Sequence, residues 1–166
     1  MVFQPGSGVS NDMNTSFPGR LLAIDHGLKV IGLAVCDPTG LLARPLQVLY
    51  RKSKKEDFAK INTILKEQKA VAIVVGLPVS PPHIQGPTQA DTVRVWAGRL
   101  AAAVSVPVYL WNERYSSDEA EEILHDIGRP LPQRRDAVAA AVMLQSFLDS
   151  MREGLPWPEP VPPAQS

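Results

Sequence analysis

The sequence predicts an α/β protein with a mixed sheet and helices packed on both faces. Three observations carry that reading. Three short apolar runs follow one another between residues 20 and 50, separated only by turn-length breaks. Beyond residue 50, stretches of helical periodicity alternate with compact apolar runs. The final periodic stretch is apolar nearly all round from Ala137 to Leu144, so it must be largely buried.

The elements follow in order. Residues 20–25 (RLLAID) and 29–36 (KVIGLAVC) are two strands with only His26, Gly27 and Leu28 between them, which predicts a hairpin. Asp37-Pro38-Thr39-Gly40 is a type I turn signal leading to a third strand over 44–50. Ser53 with Glu56 three residues later reads as a capping box, and Phe58, Ile61 and Leu65 follow at helical spacing. Residues 70–76 (AVAIVVG) suit a strand buried on both faces. Residues 77–87, with four prolines, form a loop too long to be a tight turn. Val93, Trp96, Ala97, Leu100 and Val104 mark an amphipathic helix, and residues 106–111 (VPVYLW) the next strand. Ser116 with Glu119 is a second capping-box signal before Ala120, Ile123, Leu124 and Ile127. The last helix spans about 134–150. The order is β-β-β-α-β-α-β-α-α.

Composition narrows the class. The chain has 166 residues, 45% hydrophobic and 20% charged, which suits one soluble domain with a real core. Lys plus Arg and Asp plus Glu both number 17, so bulk charge gives no general attraction to nucleic acid or an anionic membrane. Charge is uneven, however. Residues 51–100 hold nine basic and four acidic residues, whereas 101–150 hold four basic and eight acidic. Those stretches read as two solvated helix faces, or as a phosphate-facing patch beside an acidic cluster. A single cysteine, Cys36, excludes an internal disulfide framework and fits a reducing, cytoplasmic compartment. Cys36 itself reads as a buried small hydrophobe. Residues 1–19 lack the apolar core of a signal peptide and read as a flexible tail. Residues 151–166 contain five prolines and read as an extended tail, leaving 20–150 as the folded body. No run is long enough to span a membrane.

Three acids stand at informative places. Asp25 closes the first strand, Glu113 follows the last, and Asp136 opens the buried final helix. Sites in open α/β sheets form beyond the carboxyl ends of central strands. If the first and last strands are neighbours, Asp25 and Glu113 converge there, and a helix start can bring Asp136 to the same spot. Three such acids need cations or raised pKa values, and oxygen ligands suit Mg²⁺ and Mn²⁺. Plainer roles are open at each position: a turn cap for Asp25, a surface ion pair for Glu113, a helix N-cap for Asp136.

LLAIDHGLKVIGLAVCD, VAIVVGLP, WNERYSS and RRDAVAAAVMLQSFL together resemble the YqgF/RuvX family over roughly residues 20–150. That bacterial family is ribonuclease H-like and is described both as Holliday-junction resolvases and as pre-16S ribosomal RNA nucleases. The resemblance implies a ribonuclease H-like fold with a five-stranded mixed sheet. It implies that Asp25, Glu113 and Asp136 hold divalent ions, Mg²⁺ or Mn²⁺, two of them in the usual scheme. A metal-bound water would then attack phosphorus in line, leaving a 5′-phosphate and a 3′-hydroxyl. The chain departs from the family pattern in three places. Leu28 stands where the family has Thr, Asn112 stands where it has Asp, and the loop after Pro78 is Pro-rich.

Other residues carry paired readings. Gly27 either lets backbone approach a phosphate or serves a turn needing positive φ. Gly32 lets a helix or neighbouring backbone pack closely. Lys29, Arg114, Arg134 and Arg135 touch phosphate or are solvated. Arg51, Lys52, Lys54 and Lys55 extend a substrate track or form a solvated face. Trp96 and Trp111 read as core, with base-stacking as the alternative. His26, beside Asp25, is a candidate for proton transfer. The leading function is a metal-dependent nuclease on structured nucleic acid: a DNA junction, a single strand or precursor ribosomal RNA. A junction cutter would be a homodimer. The alternatives are a non-catalytic nucleic-acid or ribosome-associated factor, and a nucleotide-binding domain of the actin and sugar-kinase type.

Overall fold

The computed structural model describes residues 17–78, 86, 88–112 and 132–165, with only the backbone described over 132–134. β1 (Arg20–His26), β2 (Val30–Cys36) and β3 (Ala43–Tyr50) come first. They are followed by α1 (Lys54–Gln68), β4 (Ala70–Leu77), α2 (Gln89–Ala103), β5 (Val108–Asn112) and α3 (Pro132–Arg152). The five strands form one sheet in the order β3-β2-β1-β4-β5. β1 to β3 are antiparallel, whereas β4 and β5 run parallel to β1. The mixed sheet expected from the element order is therefore present. The helix and capping box expected between 116 and 127 lie outside the described residues.

Side-chain alternation sorts the strands onto two cores. Leu22, Ile24, Ile31, Leu33, Ile73 and Val75 point to the face covered by α1 and α2. Leu21, Ala23, Ala34, Cys36, Ala72, Val74 and Tyr109 point to the face covered by α3. The α3 face includes the small residues Ala23, Ala34, Cys36 and Ala72, and α3 answers with Ala137, Ala140 and Ala141. Small side chains on both surfaces let the helix backbone lie close to the sheet. β4 is buried on both faces, which explains its unbroken apolar run.

Local chemistry sets the boundaries. Gly27 N–H donates to the Val30 carbonyl at 3.0 Å and closes the β1–β2 hairpin. Asp37 holds the β2–β3 turn by accepting from Thr39 N–H (2.9 Å), Leu41 N–H (2.9 Å), Leu42 N–H (2.8 Å) and the Thr39 hydroxyl. Ser53 caps α1 by accepting from Glu56 N–H at 3.1 Å. The described contacts contain that half of the expected box and no return bond from the Glu56 side chain. The complete box belongs to α2, where Thr88 and Asp91 cap reciprocally, a Thr-x-x-Asp signal in the sequence. Lys69 ends α1 in the left-handed conformation.

The Pro-rich C-terminal segment is extended and docked. Val161 N–H donates to the Val108 carbonyl at 2.7 Å along the outer edge of β5. Trp157 packs against Phe147 and Tyr109 with ring centroids 5.1 and 5.7 Å away. Among the described residues, no helix is long and apolar enough to cross a membrane.

Candidate active site

Asp25 lies near the carboxyl end of β1, on the same alternation as Leu21 and Ala23, so it points to the α3 face. Its cross-strand partner is Gly32 on β2. Directly opposed residues of an antiparallel pair share a face. A Cβ on Gly32 would fall on the carbonyl of Asp136 and lie 2.9 Å from Ala137 N. The first turns of α3 therefore rest on the bare glycine beside Asp25. The close approach expected at Gly32 is found, and what approaches is the Asp136 backbone. On the other side of Asp25 the row continues through β4. Ile24 pairs with Val75, and one step further Gly76 pairs with Trp111. Asp25 thus stands in a row between two glycines, and the start of α3 fills the space above one of them, Gly32.

Asp136 is half-buried, and burial pushes its carboxyl above the usual carboxylate range, partly offset by Arg135 beside it. A carboxylate that burial disfavours gains from a bound cation. Asp25 and Asp136 supply only hard oxygen donors, which suits Mg²⁺ or Mn²⁺ and not a soft metal. Among the described residues, no three His, Cys, Asp or Glu side chains cluster as a complete ligand set. Glu113, the third acid, lies outside the described residues, as does Arg114. β4 separates β1 from β5, so the first and last strands are not neighbours. Two strand spacings, about 9–10 Å, lie between their axes.

Other expectations need correction. Gly27 does not have positive φ, since the positive-φ glycines described are Gly19, Gly40, Gly86 and Gly154. A glycine is required there because a Cβ would collide with the Val30 carbonyl inside the tight hairpin. His26 is turned away from Asp25 by strand alternation. It is 6% exposed and packs on Trp96 at 4.6 Å on the α1/α2 face. Burial and the nearby Arg51 charge lower its pKa to about 4, so it is neutral at pH 7. Arg51 braces the hairpin, donating to the carbonyls of Gly27 (3.0 Å) and Leu28 (3.2 Å), and lies 3.9 Å from buried Asp57. Lys29, Lys52, Lys54, Lys55 and Arg135 are exposed, as is Leu28. The side chain of Arg134 is not among those described. Trp96 and Trp111 are core residues, as expected, with Trp111 edge-on to Phe147 at 5.2 Å. Cys36 is fully buried, and its Sγ accepts from Leu21 N–H.

Sheet order and helix placement define the fold class. A β3-β2-β1-β4-β5 mixed sheet with helices on both faces is the ribonuclease H-like fold that solved junction resolvases share. A Thermus thermophilus RuvC, solved in complex with a Holliday junction substrate, matches with a TM-score of 0.58 at 19% identity. It covers 85% of this chain and 99% of its own. The fowlpox virus resolvase, solved with Holliday junction DNA, matches with a TM-score of 0.51 at 12% identity over 80% of this chain and 98% of its own. The family model described as "RuvX: Holliday junction resolvase" matches residues 19–150, and the chain belongs to that family. A relative from Koribacter versatilis, named "Putative pre-16S rRNA nuclease", is 37% identical over 86% of this chain and 94% of its own length. A relative of the same name from Anaeromyxobacter sp. is 42% identical over 78% of this chain and 96% of its own.

Proposed function

We propose that this protein is a divalent-metal-dependent nuclease that hydrolyses phosphodiester bonds in structured nucleic acid. The observation that supports it most is the seating of Asp136 on Gly32 directly across from Asp25. That contact holds two carboxylate-bearing residues from distant parts of the chain at one sheet end. The favoured substrate is the 5′ end of pre-16S ribosomal RNA. Relatives carrying that name reach 42% identity, whereas the junction-bound neighbours stay at 19% and 12%. The four-way DNA junction is the second substrate to test.

In this reading Asp25, Glu113 and Asp136 hold Mg²⁺ or Mn²⁺, two ions in the usual scheme. Bound ions would supply an activated water and neutralise charge on the leaving oxygen. The chain's own contribution is placement. Asp25 is fixed by a five-stranded sheet and Asp136 by a helix seated on it. Glu113, the residue that follows β5, is included on the resemblance of its WNERYSS segment to the family pattern. Lys29, Arg114, Arg134 and Arg135 would meet substrate phosphates around the acids, beside the hairpin turn at Gly27. The reading places the protein in the cytoplasm, and junction cleavage would need a symmetric homodimer.

The test is a cleavage panel with purified protein, with and without Mn²⁺. The panel holds a pre-16S RNA end, a four-way junction, duplex DNA, single-stranded DNA and single-stranded RNA. Asp25→Asn, Glu113→Gln and Asp136→Asn should each abolish cutting while the protein stays folded. Variants that cut as well as the parent would overturn the site. Binding without cleavage of any substrate would favour a non-catalytic factor, and stabilisation by ATP with Mg²⁺ a nucleotide-binding domain.

A further inference from the structure

A concavity with a volume of about 410 Å³ lies on the α1/α2 side of the sheet, the face opposite Asp25. It is lined by His26 from the end of β1, Arg51 and Lys54 from the β3–α1 junction, and Asp91, Trp96 and Arg99 from α2, among others. Three lining residues carry a buried nitrogen with no hydrogen-bond partner among the described residues: His26 Nε2, Trp96 Nε1 and Arg51 Nε. His26 and Trp96 are 6% and 3% exposed. Unmade hydrogen bonds of buried groups are costly, and the Trp96 and Arg51 N–H groups around this cavity point to an acceptor ligand that completes them, with the neutral His26 ring beside them. Arg51 is partly neutralised by Asp57, but Lys54 and Arg99 form no ion pair among the described residues. The acid in the wall, Asp91, is committed to its helix cap, accepting from Thr88 N–H at 2.9 Å and the Thr88 hydroxyl at 3.1 Å. The cavity therefore combines free cations with N–H donors, a combination that recognises an oxyanion.

We propose that this cavity is a phosphate-binding subsite, separate from the carboxylate site and joined to it through the end of β1. His26 lines the cavity while its neighbour Asp25 faces the other side of the sheet. A strand crossing the β1 end can thus place one phosphate among the carboxylates and a flanking one here. The choice of phosphate rests on the nuclease reading; the two sources are the backbone of such a strand and a free mononucleotide.

The test follows the Trp96 indole N–H resonance in the full chain, assigned with Trp96→Phe, in EDTA so that no divalent ion is bound. Inorganic phosphate, AMP and a short single-stranded RNA are titrated at constant ionic strength. The expected result is a saturable shift with all three, strongest with RNA. Lys54→Gln combined with Arg99→Gln should weaken RNA binding about tenfold without lowering Tm. AMP binding more tightly than RNA would support the subsite with a mononucleotide as occupant. An unmoved Trp96 resonance, an equal shift with chloride, or unchanged binding by the double variant would each overturn the proposal. Asp25→Asn separates the two readings. It should lose cleavage yet keep the Trp96 shift, and cleavage that survives it sinks the nuclease site without touching the subsite.

Discussion

The carbonyl of Asp136 occupies the space that a side chain on Gly32 would need. α3 can approach β2 there only because residue 32 has no Cβ, and the same approach brings Asp136 beside Asp25, the cross-strand partner of Gly32. Gly32→Ala must therefore lift the start of α3. The expected cost is about 1–3 kcal/mol of stability, typical of overpacking against an unyielding neighbour. Cleavage should be lost even at temperatures where the variant is folded. Parent-like cutting by folded Gly32→Ala would show that the seating does not position the site.

Asp136 carries a burial-raised pKa, and the sign of its linkage follows. Its ionised form is less favourable in the folded chain than in the unfolded one. Folding is thus opposed once pH rises above the unfolded carboxylate value of about 4. In EDTA at pH 7, Asp136→Asn should raise Tm, and the difference should shrink as pH falls towards 4. Mn²⁺ should stabilise the parent and not the variant. Thermal melts at the two pH values, with and without Mn²⁺, check both parts.

Asp37 shows the opposite linkage. Backbone N–H groups of Leu42, Thr39 and Leu41, with the Thr39 hydroxyl, hold its carboxyl well below the usual carboxylate range. That stabilisation is present above the unfolded value of about 4 and is lost as pH falls further below it. Asp37→Asn should lower stability at pH 7 and flatten the acid limb of the stability curve. Urea unfolding between neutral and acid pH measures it, and an unchanged acid limb would remove Asp37 as its source.

Trp157 ties the Pro-rich segment to the core through Phe147, Tyr109 and Phe17. Trp157→Ala should cost about 2–4 kcal/mol, near the lower part of the range for large aromatic deletions because the ring is partly exposed. Trp157→Phe should recover much of it. A Trp157→Ala variant as stable as the parent would return this segment to the status of a tail.

Much of the fold was legible in the residues themselves. Alternation, turn signals at Asp37–Gly40 and the apolar run before Gly76 are local, and local patterns locate strands and turns without knowledge of their partners. Gly32 was legible as a place of close approach and Asp25 as an acid near a strand end, whereas Asp136, expected to open the last helix or to cap it, is the fifth residue of α3. The Thr88–Asp91 box is an equally local signal.

Pairing and facing were decided only in three dimensions. Nothing in residues 20–36 says that α3, a hundred residues later, seats its Asp136 carbonyl on Gly32. Strand order placed β4 between β1 and β5, and alternation sent His26 to the opposite face from Asp25. Gly27 proved to be excluded from carrying a Cβ by the Val30 carbonyl, not by its φ angle. The sequence by itself determined which residue types stand at the strand and helix ends, because those signals reside in neighbouring residues. The tertiary structure decided which ends meet, because packing joins residues that the chain keeps far apart.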